Sequence, residues 1–229
     1  MTANTARPKS NTRKVAPIRA VVVSHPTADK FVLLEAALDQ SGFWDDIKKA
    51  CRKAKVTPSQ FPVLIKPDMS FFAPNSATGT DPQLVEHLID LLIDRGYAQV
   101  AIGESRNSFD LILENRDVLV LADLAGYHFV TARGTPYDIL DLGEDLVDGQ
   151  FPPGAVLAGA QLARAWVEAG YRVCFAKNKT DEATFYALCL NTLIGVLPLR
   201  DKDYHYHYRL ASEDVLVELL RQAPPDFCL

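Results

Sequence analysis

Val63-Leu-Ile-Lys66, stopped by Pro67, and Gln99-Val-Ala-Ile-Gly103 frame the part of the chain that decides its fold. Both runs are short, apolar and bounded by turn residues, the pattern of buried strands. A loop rich in Ser, Thr, Gly, Asn and Pro follows the first, from Ala73 to Thr80. Thr80-Asp81-Pro82 then reads as a helix start. Thr80 or Asp81 supplies the N-cap oxygen, and Pro82 falls in the first turn, where a missing N–H is harmless. Leu84, Val85, Leu88, Ile89, Leu91 and Leu92 make a helical stripe, and Arg95-Gly96 ends it with a cation and a C′ glycine. Strand, helix, strand at this spacing is a βαβ unit, so the two strands are expected to lie parallel with a right-handed crossover.

The same reading extends outward. Arg19–Ser24 predicts a first strand, and Asp29–Lys55 one or two helices broken near Ser41-Gly42. Downstream, Asn115–Tyr127 predicts a helix, and His128–Thr131 and Tyr137–Leu140 further strands. Gln161–Ala169 predicts a helix stopped by Gly170, and Tyr171–Ala176 a strand. Asp181–Ile194 predicts a helix ended by Gly195, and Ser212–Gln222 a last helix with Ser212 as its N-cap. The alternation implies an α/β fold with a mostly parallel sheet and helices on both faces. Asp226-Phe-Cys-Leu229 looks like the opening of another strand, which suggests a domain over 19–229 that is truncated at its C-terminal end.

Composition narrows the class. Of 229 residues, 48% are hydrophobic and 23% charged, which excludes a wholly disordered or collagen-like chain. No apolar run reaches the roughly 18 residues of a membrane span. The formal net charge is −5, which argues against a generally basic nucleic-acid binder. Residues 1–18 read as a disordered basic tail: Arg7, Lys9, Arg13 and Lys14, with Arg19 just beyond, meet no acidic residue. The four cysteines, Cys51, Cys174, Cys189 and Cys228, are widely spaced, so no cysteine motif for zinc or an iron–sulfur cluster is present. A reducing cytoplasmic setting is the expectation.

Ligands of open α/β sheets bind beyond the carboxyl ends of the strands. Three segments meet that condition: Lys66-Pro67-Asp68, Gly103-Glu104-Ser105-Arg106 and Lys177-Asn178-Lys179-Thr180-Asp181. If they converge, Lys66, Arg106, Lys177 and Lys179 form a basic rim beside the N-terminus of the next helix. Such a rim suits a carboxylate, a phosphate or an enolate-like intermediate. The competing reading pairs the same cations with Asp68, Glu104 and Asp181 as structural ion pairs. Thr180, Thr184 and Asn191 would make a polar stripe on that helix. In Tyr204-His205-Tyr206-His207-Tyr208 the two histidines share a face if the run is a strand, an arrangement that could ligate a metal.

Six motifs stand in order: Val63-Leu-Ile-Lys-Pro-Asp-Met69, Thr80-Asp-Pro82, Ile102-Gly-Glu-Ser105, Lys177-Asn-Lys-Thr180, Asn191-Thr-Leu-Ile-Gly195 and Lys202-Asp-Tyr-His205. In this order they resemble the bacterial and archaeal domain of unknown function 362 family, over roughly residues 60–210. Some positions depart from that family's pattern. Asp181 stands where a histidine is usual, Asp68 where an asparagine is usual, and Asn191-Thr192 where Lys-Asn is usual. Chemistry dependent on that histidine and second lysine is therefore not carried over. Some members carry a fused ferredoxin-type module, none of whose cysteine motifs occurs here, so a redox role would need a partner protein or a missing segment to supply the electron carrier.

The functional expectation is a protein that binds a small anionic ligand, with redox or proton-transfer chemistry as the reaction class. Lys177, Lys179, Asp181 and His205 are the candidate catalytic groups. Lys66, Asp68, Glu104, Arg106, Thr180 and Asn191 are the candidate ligand contacts. The cofactor is left open. The alternatives are a non-catalytic binding protein with a degenerate site and a metal protein using His205 and His207.

Overall fold

The computed structural model describes residues 20–26, 28–69, 72, 78–107, 117–180 and 186–229. Two helices come first, α1 (Lys30–Ser41) and α2 (Phe43–Ala54), split at Gly42, whose φ of +79° a side chain would strain. Then follow β1 (Val63–Pro67), α3 (Pro82–Asp94), β2 (Val100–Glu104), α4 (Val118–Ala125) and β3 (Asp138–Asp141). A short hairpin pairs β4 (Leu146–Asp148) antiparallel with β5 (Gln161–Ala163), and α5 (Arg164–Glu168) continues from it. The chain ends through β6 (Tyr171–Phe175), α6 (Cys189–Thr192), a 3-10 turn at 193–196, a π-helix at 203–209, α7 (Ser212–Gln222) and β7 (Phe227–Cys228).

The main sheet has the order β3-β2-β1-β6-β7, with every pairing parallel. Its register decides which side chains meet. Ile139, Ile102, Ile65, Val173 and Phe227 form one row across the sheet. They pack into the core beneath α1 to α4, with Leu38, Phe43, Leu88 and Leu92. One residue further along, side chains leave by the opposite face, because strand side chains alternate. That row contains Leu140, Gly103, Lys66, Cys174 and Cys228. This face is covered by a second core that includes Trp166, Leu193, Val196, Val215 and Leu219, from α5, the 3-10 turn and α7. The fold is thus α/β with helices on both faces.

The capping chemistry of the βαβ unit is local. The Asp81 carboxylate accepts the Gln83 N–H at 3.0 Å, and Gly96 takes φ of +88° past the helix end. Thr80 does not cap the helix but ties β1 to β6. Its hydroxyl donates to the Phe175 carbonyl at 2.6 Å and accepts the Asp68 N–H at 2.8 Å.

Several predicted elements differ. Residues 20–24 form no strand. Of 128–131, only a single bridge from Val130 to Pro136 remains, because the chain reverses there through Gly134. The 161–169 segment begins as a strand, since Gln161–Ala163 is taken up by pairing with β4. Of the helix predicted over 181–194, residues 181–185 lie outside the described residues; Ala187 forms an antiparallel bridge with Lys179, and the described helix covers Cys189–Thr192. Ala211, not Ser212, holds the N-cap position of α7. Residues 1–19, 181–185 and the greater part of the 73–80 loop lie outside the described residues.

Candidate functional site

The three predicted loops do meet at the carboxyl ends of β1, β2 and β6, and the structure sorts their charges into tiers. The innermost is a buried ion pair. Lys66 is 1% exposed and Glu104 2%. The Lys66 ammonium donates to Glu104 Oε2 at 2.7 Å and to the Pro67 carbonyl at 3.3 Å. Glu104 also accepts the backbone N–H groups of Ser105 at 2.9 Å and Met69 at 3.3 Å. A carboxylate so supplied with donors offsets the desolvation that a buried ion pair suffers.

Lys202 completes this tier. It is 6% exposed and donates to the carbonyls of Arg106 at 2.6 Å and Leu199 at 2.9 Å. Burial pulls its pKa down to about 8; Glu104 works against that fall and Lys66 adds to it. Ser105, also buried, donates its hydroxyl to the Gly195 carbonyl at 2.6 Å, which fixes the 193–196 turn over the ion pair.

Arg106 belongs to a different neighbourhood. Its guanidinium is bound to Asp141 at 2.5 Å and to Glu144 at 2.6 Å, and the Asp141 hydrogen bond raises its pKa further. Among the described residues, the adjoining cavity of about 400 Å³ is lined by Asp117, Asp141, Glu144 and Asp145 together with Arg106. The structure thus gives Arg106, a predicted ligand contact, two carboxylate partners of its own.

The outer tier holds Lys177, Lys179, Asp68 and Thr180. Asp68 is buried, its backbone N–H bound to Thr80 Oγ1 and to the Phe175 carbonyl. Its carboxylate meets the half-buried Lys179 ammonium at 2.7 Å. Lys177 is half-buried and Thr180 exposed. Asn191 lies in α6, one residue before Thr192, whose hydroxyl bonds back to the Leu188 carbonyl. The candidate Asp181 and the helix N-terminus proposed beside it lie outside the described residues.

His205 does not join this rim. It lines a cavity of about 290 Å³ with Tyr206, Arg209 and Leu199, and none of the strand-end cations forms its wall. The strand that would have placed His205 and His207 on one face is a π-helix, in which residues two apart point to nearly opposite sides. Among the described residues no group of three His, Cys, Asp or Glu side chains is placed to hold a metal ion. No helix of the described residues is long and apolar enough to cross a membrane.

Sequence reasoning placed no role on Lys202 or Ser105. Lys202 sits in Arg200-Asp-Lys-Asp203, which reads as a solvated charge run. Lys202, the residue that caps the π-helix, and Tyr206 within it are both buried, and no local signal announces that.

A parallel sheet with helices on both faces and buried, hydrogen-bonded charge at its carboxyl rim defines an α/β protein. The chain belongs to the family described as "Domain of unknown function (DUF362)", whose model matches residues 63–229. No curated protein and no solved structure matches it.

Proposed function

We propose that the carboxyl rim of the sheet binds a small anion, a carboxylate or a phosphate, with Lys177 and Lys179 as its direct contacts. The observation that carries this reading is a second buried lysine beside the Lys66–Glu104 pair: Lys202, whose ammonium is held by the Arg106 and Leu199 carbonyls and not by a carboxylate contact. Charge in a low-dielectric setting projects a stronger field than the same charge in water. Lys66 is closed off from solvent and supplies field rather than contact. Reaction chemistry beside the anion, redox or proton transfer, belongs to the same reading. A specific observation favours the plainer alternative of binding without catalysis: Lys66, Arg106 and Lys179 each already hold a carboxylate.

The test is a thermal-melt survey of the full chain with inorganic phosphate and a panel of small carboxylates. A Lys177→Ala/Lys179→Ala variant is run beside it. A bound ligand raises the melting temperature by mass action. One anion that raises it in the parent chain and not in the variant supports the rim. An equal shift in both, or none with any anion, overturns it.

A further inference from the structure

Three of the four cysteines meet on one face of the sheet. Cys174 in β6 and Cys228 in β7 are direct register partners, so their side chains leave the sheet on the same side. Cys189, the first residue of α6, packs over them. Its thiol lies 3.3 Å from the Cys174 carbonyl oxygen and 3.2 Å from that of Leu229, the residue after Cys228. The Cys174 thiol donates in return to the Cys189 carbonyl at 3.3 Å. The Cys228 thiol neighbours that of Cys189, and the contact raises its pKa. All are free thiols; Cys174 and Cys189 are buried and Cys228 is exposed.

We propose that Cys189 and Cys228 form a reversible intramolecular disulfide, with a low-molecular-weight disulfide as the oxidant. The exposed Cys228, as thiolate, attacks one sulfur of the small disulfide. That S–S bond breaks, one small thiolate leaves, and a mixed disulfide stands on Cys228. Cys189 then loses its proton and attacks the Cys228 sulfur, expelling the second small thiolate. The two cysteines give up two electrons and two protons. The small disulfide gains the electrons, and its two thiolates take up the protons. Cys174 is excluded as the partner because it is wholly buried and its thiol is turned onto the Cys189 carbonyl. The bond fastens β7 to α6, which runs directly into the 193–196 turn and its Gly195, seated on Lys66 and Glu104. Oxidation therefore stiffens the cover of the buried ion pair.

The experiment incubates the reduced full chain with oxidised glutathione at pH 8 for several hours. Contact with Cys174 holds the proton on Cys189, and contact with Cys189 holds that on Cys228, so exchange is slow. Free thiols are then alkylated and the cross-links located by mass spectrometry of unreduced peptides. The expected result is a fall from four free thiols to two, a single 189–228 cross-link, and reversal by dithiothreitol. Cys51→Ser and Cys174→Ser still form the link. Cys228→Ser, which changes an exposed residue and melts like the reduced parent, does not. Four thiols remaining, a stable glutathione adduct on Cys228, or a cross-link containing Cys174 would each overturn the proposal.

Discussion

Gly195 rests directly against Lys66: a β-carbon on Gly195 would stand 2.5 Å from the Lys66 ammonium nitrogen and would also overlap the Glu104 carboxylate. Only hydrogen fits between the 193–196 turn and the buried ion pair. Gly195→Ala must therefore displace either the turn or the pair, and neither yields easily. Overpacking of this kind costs about 1–3 kcal/mol. Urea denaturation is expected to show a lowered midpoint at unchanged slope, and the Ser105–Gly195 hydrogen bond is expected to go with it.

The Lys66–Glu104 pair offers a double-mutant cycle. Lys66→Met leaves the Glu104 carboxylate buried beside backbone donors without its cation, a loss of about 3–5 kcal/mol. Glu104→Gln leaves Lys66 uncompensated and is expected to lose a similar amount. The double variant is expected to lose clearly less than the two together, because no unpaired charge remains. Additive losses in chemical denaturation would show that the two side chains contribute independently.

Lys202 makes a distinctive pH signature. Its folded pKa, about 8, lies below the ordinary lysine value of 10.5. Between these two values the unfolded chain binds more protons than the folded one, so stability rises with pH. The charged form burdens the fold fully below pH 8, and that burden is relieved as pH climbs toward 10.5. The stability difference between the parent chain and Lys202→Met is expected to move in favour of the parent by roughly 2–3 kcal/mol over pH 7 to 10.5. A flat difference across that range would place the ammonium in a solvated setting. Anion binding at the rim would draw a proton onto Lys202, so calorimetry near pH 8 is expected to show proton uptake.

Two buried tyrosines are expected to respond oppositely to loss of a hydroxyl. Tyr127 is buried, and among the described residues its OH has no hydrogen-bond partner. Burial, followed by Tyr137 and the carboxylates of Glu104, Asp81 and Glu86, holds its proton well above the ordinary tyrosine range. Tyr137 instead donates to Glu86 Oε1 at 2.6 Å and accepts the Phe129 N–H at 3.2 Å. Tyr127→Phe is expected to be neutral or stabilising by up to about 1 kcal/mol, since an unsatisfied group is removed. Tyr137→Phe is expected to cost about 1.5–3 kcal/mol, the range for a hydrogen bond to a charged acceptor. Thermal melts of the two variants decide it.

The legibility of this chain follows the range of the forces involved. The βαβ unit was readable because its signals act within a few residues. Asp81 caps the helix that Pro82 opens, Gly96 takes the left-handed turn after it, and the apolar periods separate strand from helix. The convergence of the lysine loops followed from one topological rule, that parallel strands present their carboxyl ends on one edge. The segment 161–163 was not readable, because pairing with 146–148 overrides a helical pattern from outside the window. The Tyr/His alternation at 204–208 suggested a strand, yet the run lies in a π-helix, with Lys202 and Tyr206 buried.

By itself, then, the sequence determined the class of fold, the parallel sheet and the edge on which the charged loops gather. Tertiary structure alone decided which charges meet: Lys66 with Glu104, Arg106 with Asp141, Lys179 with Asp68, and Lys202 drawn inside. Caps and periodicities are local and written in neighbouring residues. Ion pairing and burial depend on strand register and on what the opposite layer places overhead, and those distances are not encoded within any one segment.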